Sequence, residues 1–452
     1  MNLPVITNAL QNIKNSCQNK LNRLYPKGIP GDMETRYKNE LSFLEHSEFI
    51  DDFEIFRRLS EEAEKSSNII NSRGTLSGSF LYYLLGNNSF NPLPPHYYCT
   101  ECGYYEPVDT PLFGIDLPLK KCPHCNADIL ADGYDLSIES VWGNEGEKLI
   151  SFDYNVNSDF LPFARRVLQN IYPDNTIVPW GMFQMDSSAG SSHPDERIIG
   201  IALAGYAILP PGNTIHDYPD LISYLEDGDA CITGGAWELE EHMLKPIRLF
   251  TLDYLDELIQ LQRATGIYTH DLNNKELREI TWSNIYNTAA PNNNLRILFH
   301  EFKPKTYKDM TAFVSSCHNS HSWHKDDYNA IDIGEYKKMI SSDAFKKYPC
   351  FTREDFFDHM ISLGIERNVA FDAAERIRKG HASSCGKYQQ QFFALPIPDE
   401  IKEIAKNYLY VFPRAHCIEY ILIYAKLAYY AKTDSRAFSK IVFKAKHPVS
   451  LI

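Results

Sequence analysis

Hydrophobic spacing divides this chain into a helical start, a mixed centre and a helical end. Residues 5–70 predict helix, because apolar positions in "METRYKNELSFLEHSEFIDDFEIFRRLSEEAEKS" recur every three or four residues with no internal Pro or Gly. "SRGTLSGSF" is a turn-like Gly/Ser stretch leading into apolar "FLYYLL", and "NNSFNPLPPH" then breaks the pattern with three prolines. In "GEKLISFDYNVN" the parity alternates. Leu149, Ser151, Asp153 and Asn155 share one side; Ile150, Phe152, Tyr154 and Val156 share the other. That predicts a strand with one apolar face and an acid on the polar one. "LSIESVW" and "RIIGIALAGYAIL" also read as strands, and "LDYLDELIQLQRATG" as a helix. From about residue 264 nearly everything reads as helix. One pair of helices is broken at Gly364 and another at Pro413. The fold class expected is α+β, a mixed centre with a helical C-terminal part and no internal repeat.

At 452 residues the chain can bury a large core and form two or three domains. No run of about 18 apolar residues predicts a membrane span. The N-terminus lacks the basic-then-apolar layout of a signal peptide, so a cytoplasmic location is expected, with no membrane partner. The net charge of −14 is uneven. Residues 264–452 hold 26 Lys and Arg against 21 Asp and Glu, a surplus of five cations, and residues 1–263 carry −19. A basic C-terminal part suits contact with nucleic acid, and the acidic remainder opposes it or suits a protein partner.

Four of the ten cysteines form "CTEC" and "CPHC". Cys99, Cys102, Cys122 and Cys125 thus have C-x2-C-x19-C-x2-C spacing, which lets two tight knuckles close a tetrahedron on Zn²⁺. With no open coordination position implied, that zinc is expected to be structural and His124 a bystander. The stretch "SSCHNSHSWH" offers Cys317, His318, His321 and His324 as a second, weaker metal pattern with no partner pair nearby. "SRGTLSGSF" suits a phosphate-cradling turn, with glycines for close approach, a following helix N-terminus and Arg73 for a charged bond; Gly/Ser turns before helices are also common without any ligand.

The order of these pieces resembles the polymerase core of PolC, the C-family bacterial DNA polymerase III alpha subunit. The resemblance runs from about Tyr25 to Ala445 and is carried by "SRGTLSGSF", "NPLPPHYYCTEC", "CPHC", "GEKLISFDYN", "RIRKG" and "VFPRAHCIEY". It implies a polymerase-beta-like nucleotidyltransferase palm at residues 60–96 and 136–263, with a helical segment at 1–59 before it. A four-cysteine zinc module at 97–135 and helical fingers at 264–452 complete the likeness. It also implies Arg73, Gly74 and Ser79 as triphosphate contacts, although Ser77-Gly78 swaps the family's order. Lys379, Arg414 and His416 would lie near the incoming nucleotide; equally, Phe412 and His416 would pack the helical core while the cations face water. The chain is far shorter than a PolC, and the stretch between "NTIVPWGMF" and "MLKPIRLF" is shorter than the family's.

Polymerases of this kind use two metal ions held by three carboxylates, two of them as Asp-x-Asp on one strand face. Here that pair reads Ser151-Phe152-Asp153. The third carboxylate position falls on Arg248, or on Ile247 after a one-residue slip. Mg²⁺ binding is therefore doubtful, and Asp153 is expected as a remnant bonded to Arg248 or solvated. Asp186, Asp253 and Asp256 are the acids that could rebuild a site. Three functions follow: a degenerate polymerase core that binds a replisome protein, primer-template DNA or dNTP; an active DNA-directed DNA polymerase with a rearranged metal site; or a nucleotide-binding sensor.

Overall fold

In the computed structural model, residues 5–86, 90–185, 198–280, 299, 302–322 and 332–442 are described. Helices α1 (Ala9–Leu24), α2 (Gly31–Glu45), α3 (Ile50–Lys65) and the short α4 (Phe80–Leu85) open the chain. The expected continuous helix is interrupted between α2 and α3. There the Ser47 hydroxyl donates to the Leu44 carbonyl and accepts from the Phe49 amide, so local polar bonds displace the helical ladder.

The first strands in chain order are β1 (Ile70–Ser72), β2 (His96–Tyr98), β3 (Tyr105–Pro107), β4 (Leu130–Asp132) and β5 (Asp153–Val156). Then come β6 (Ile177–Met185), β7 (Ile198–Ile208), β8 (Ile222–Tyr224), β9 (Ala230–Thr233) and β10 (Lys245–Thr251). The cysteine segment makes a separate three-stranded sheet, β3-β2-β4, and the other seven form a mixed central sheet in the order β1-β5-β10-β7-β6-β9-β8. β5 runs antiparallel to β1 and parallel to β10. The alternation read in the sequence sorts as expected on the apolar side. Tyr154 and Val156 are buried against α1–α3 and α5 (Leu161–Ile171), with Ile150 and Phe152 beside them. On the other parity Leu149 and Ser151 are exposed, Asp153 is partly exposed and Asn155 is fully buried, so this face is covered only towards the end of the strand. "LSIESVW" is not a strand: Glu139–Trp142 form one helical turn, closed by Gly143 at φ 77°.

After the centre come α6 (Asp253–Thr265), ended by Gly266 in the left-handed region, α7 (Asn274–Leu277) and α8 (Tyr307–His318). Then follow α9 (Arg353–Ser362), α10 (Arg367–Arg378) and α11 (Arg414–Thr433). Gly364, at φ 77°, separates α9 from α10. Pro413 caps α11, but the residues before it are not all helix. Ser320–His321 form β11 and Tyr408–Tyr410 form β12, and the two pair with each other. One apolar core joins these helices and includes the fully buried Tyr336, Phe356 and Tyr430. Among the described residues no helix is long and apolar enough to cross a membrane.

One buried carboxylate ties the N-terminal helices to the Gly/Ser turn. Glu40, fully buried in α2, accepts from the Ser79 hydroxyl (2.5 Å) and from the amides of Phe80 (3.0 Å) and Leu81 (3.2 Å). These amides open α4. Arg36, one turn earlier, donates to the same carboxylate and to the Gly78 and Leu136 carbonyls. Glu40→Ala is expected to lower the free energy of unfolding by about 2–4 kcal/mol, because it strands a largely buried guanidinium and three donors. Glu40→Gln should cost less, and urea titration of both variants checks the order.

Candidate functional site

The site begins with strand register. β10 lies parallel to β5 with Arg248 directly opposite Asp153. Side chains at paired positions share a face, so Arg248 stands on Asp153's side and Ile247 points the other way, into the core. The Arg248 Nη1 donates to Asp153 Oδ1 at 2.7 Å and to Ser151 Oγ at 2.9 Å. Ser151 Oγ in turn donates to Asp153 Oδ2 at 2.6 Å. Both carboxylate oxygens are therefore taken, one by a guanidinium and one by a hydroxyl. The pair is about a quarter exposed, at 28% for Arg248 and 24% for Asp153, so solvent weakens it but does not separate it.

A second arginine flanks the same strand. The Arg73 amide donates to the Asp153 carbonyl at 2.8 Å, which holds the loop after β1 against β5. Its Nη1 donates to Asn155 Oδ1 at 3.1 Å, and its guanidinium lies 4.8 Å from the centre of the Phe250 ring. Phe250 is two residues beyond Arg248 on the same strand face, a step of about 6.6 Å. Arg73 and Arg248 thus stand side by side above β10, with one carboxylate between β5 and β10 to balance them. Motif reading does not mark Asn155 or Phe250 as site residues. Each follows a marked residue by two positions on a strand, which is the signal the sequence offers for them.

The other expected contacts divide. The Gly74 amide turns back to Ser72 Oγ at 3.3 Å. Ser79 is fully buried, caps α4 and faces Glu40, so the helix N-terminus expected to receive phosphate already holds a carboxylate. Arg414 is buried in an ion-pair network with Asp355 (2.9 Å) and Asp358 (2.6 Å), donates to the Asp135 carbonyl, and has its amide bonded to Glu354. It braces α11 against α9 and offers no free guanidinium to a nucleotide. Lys379 remains exposed at the C-terminal end of α10. His416 is buried and joins the site from behind. Its Nδ1 bonds the Arg73 carbonyl at 2.6 Å, its Nε2 meets His318 Nδ1 at 3.3 Å, and its ring stacks on Phe412 at 4.6 Å. Of the acids considered as replacements, Asp256 accepts from the Ser158 amide and hydroxyl, and Asp186 lies outside the described residues.

Among the described residues, one group of three or more His, Cys, Asp or Glu side chains brings its ligand atoms within 4.8 Å of one another. It is Cys99, Cys102, Cys122 and Cys125. Neighbouring sulfurs across the two knuckles are 3.5 Å apart. A metal about 2.3 Å from four tetrahedral sulfurs needs them about 3.8 Å apart, so the cluster fits one ion. Each knuckle turns on a positive-φ residue, Gly103 and Asn126. His124 packs on the Tyr104 ring instead of joining the sulfurs. The second metal pattern does not assemble: His318 faces His416, His321 packs on Tyr408, and His324 lies outside the described residues.

Comparison with known proteins finds a family model and curated relatives that this chain is similar to. Residues 11–197 match the family described as the bacterial DNA polymerase III alpha NTPase domain. Three similar curated proteins are PolC-type DNA polymerases III. That of Thermotoga petrophila is 23% identical over 94% of this chain and 34% of its own length. That of Lactococcus lactis is 24% identical over 95% and 28%, and that of Caldanaerobacter subterraneus 22% over 98% and 34%. Over nearly its whole length the chain is similar to part of PolC-type polymerases, and it spans about a third of the length of these relatives.

Two outcomes are expected. Metal-stripped protein should bind one Co²⁺ per chain with sulfur-to-cobalt absorption bands, and Cys122→Ser should remove those bands. The second concerns His416, whose burial, with the Arg73 charge beside it, pulls its pKa from 6.5 down to about 4. Between those values the unfolded chain binds a proton that the folded chain refuses, so stability should fall as pH drops from about 6.5 towards 4. His416→Gln should flatten that slope relative to wild type in urea titrations at several pH values.

Proposed function

We propose that this chain is a catalytically degenerate PolC-like polymerase core that acts by binding and not by synthesis. In this reading the seven-stranded sheet is a polymerase-beta-like palm, residues 97–135 are its zinc module and residues 264–452 its fingers. The observation that carries the reading is the triangle of Arg248, Asp153 and Ser151. Two-metal phosphoryl transfer needs several ionised oxygens converging on a pair of doubly charged ions. Among the described residues Asp153 is the carboxylate that faces Arg248 here, and the guanidinium occupies it. At an effective dielectric of 20, a unit charge 4 Å from another interacts by about 4 kcal/mol, and the term doubles for a divalent ion. Replacing an attractive carboxylate with a repulsive arginine therefore removes Mg²⁺ affinity outright instead of tuning it.

Zinc is the metal that four thiolates with no open position favour, and its role is structural. The partner class is a replisome protein, primer-template DNA or a nucleotide, and the location is the cytoplasm. A nucleotide-sensing variant of this reading draws support from Arg73, which stays partly exposed beside Asn155 and Phe250.

Purified protein should fail to extend a primed template with Mg²⁺ and deoxynucleotides. Wild type should also give no bound Mn²⁺ signal in electron paramagnetic resonance, and Ser151→Asp combined with Arg248→Asp should restore one. Primer extension by wild type would overturn the proposal.

A further inference from the structure

A cleft of about 690 Å³ opens where the N-terminal helices, the cysteine module and the C-terminal helices meet. It shares no lining residue with the Asp153 site. Its walls carry seven Lys and Arg side chains against three carboxylates, in a chain whose net charge is −14. Lys20 and Arg23 come from α1, Lys275 and Arg278 from α7 and its end, Lys426 from the middle of α11, and two lysines from the module. Cations from separate elements, brought to one concave surface of an acidic protein, focus positive potential there.

Part of that charge is already balanced: Lys120 pairs with Glu106 and Lys121 with Asp128. Lys275 and Lys426 form no ion pair among the described residues. The acid that Lys426 feels is Glu419 of the same helix, itself buried and pushed up to about 8. Burial draws Lys426 down to about 8 as well, so neither group is well provided with a counter-charge. The remaining walls mix leucines with Asn91, Asn273, Asn274 and His270. Leu119 and Leu130 of the module stand 68% and 53% exposed at this cleft, with Leu272, Leu277 and Leu422 deeper.

We infer that this cleft binds a nucleotide, its phosphates on the lysines and its base against the leucine wall. The volume lies within the range of small-ligand sites and is too small for a duplex or a folded protein. With Lys120 and Lys121 already paired, Lys275 and Lys426 are the cations the cleft offers to phosphate. The same chemistry is offered by a free nucleoside triphosphate and by the 5′-phosphorylated end of a single strand, and the two are separable by experiment.

Calorimetry at low salt would use three probes: dATP, inorganic triphosphate, and a 5′-phosphorylated oligothymidylate of eight residues. The metal-loaded full chain should bind dATP or the oligomer, and whichever binds tighter names the source. Inorganic triphosphate should bind more weakly than dATP, because it lacks the base. Lys275→Ala, an exposed change, and Lys426→Met, a volume-conserving one, should each weaken binding about tenfold, the loss of one charged contact. Lys406→Ala, an exposed change outside the cleft, should leave binding unchanged. Absence of binding by all three probes at millimolar concentration would overturn the inference. So would binding that survives Lys275→Ala and Lys426→Met in variants with wild-type melting curves. Loss in Arg73→Ala alone would move the ligand to the Asp153 site and support the sensing variant instead.

Discussion

The parallel pairing of β5 with β10 is the constraint on which the site depends. It places residue 248 opposite residue 153 and sends both side chains to one face. A slip of one residue would bring Ile247 to that face and turn Arg248 into the core, where an arginine has no partner and an isoleucine is lost from the packing. The hydrophobic side thus enforces the register, and the register enforces the ion pair. Arg73 is fixed by the same strand, through its amide on the Asp153 carbonyl.

Around this face the molecule supplies its own counter-charges. Glu40 fills the N-terminus of α4, Asp153 faces Arg248, and Asp355 with Asp358 enclose Arg414. Each is a place where a ligand's charge would otherwise be a natural partner. Buried pairs of this kind add little net stability, since desolvation offsets attraction, but breaking one leaves an uncompensated charge. Their effect is to fix geometry, and the stacked chain from Phe412 through His416 to the Arg73 carbonyl extends that fixed geometry into the C-terminal helices.

The basic cleft stands apart from this pattern. Its cations come from α1, the module, α7 and α11, and Lys275 and Lys426 make no ion pair among the described residues. A protein that neutralises its central charges internally yet leaves Lys275 and Lys426 without an ion pair among the described residues concentrates positive potential at the junction of three parts of the chain.

Local pattern is enough to locate the strand around Asp153, the helices split at Gly364 and the two cysteine knuckles, because each depends on near-neighbour geometry: period two, a left-handed glycine, a C-x2-C turn. The break between α2 and α3 and the helical turn at Glu139–Trp142 are not legible, since short polar bonds and tertiary packing override periodicity there. Ser79 and Arg414 depart from expectation for a related reason. A serine before a helix and an arginine after a proline look available to phosphate until Glu40, 39 residues from Ser79, and Asp355 and Asp358, 59 and 56 residues from Arg414, fold against them. The sequence by itself determined which residue types occupy the site; the tertiary structure alone decided which of them face a ligand, because charge pairing between distant segments depends on their approach in space.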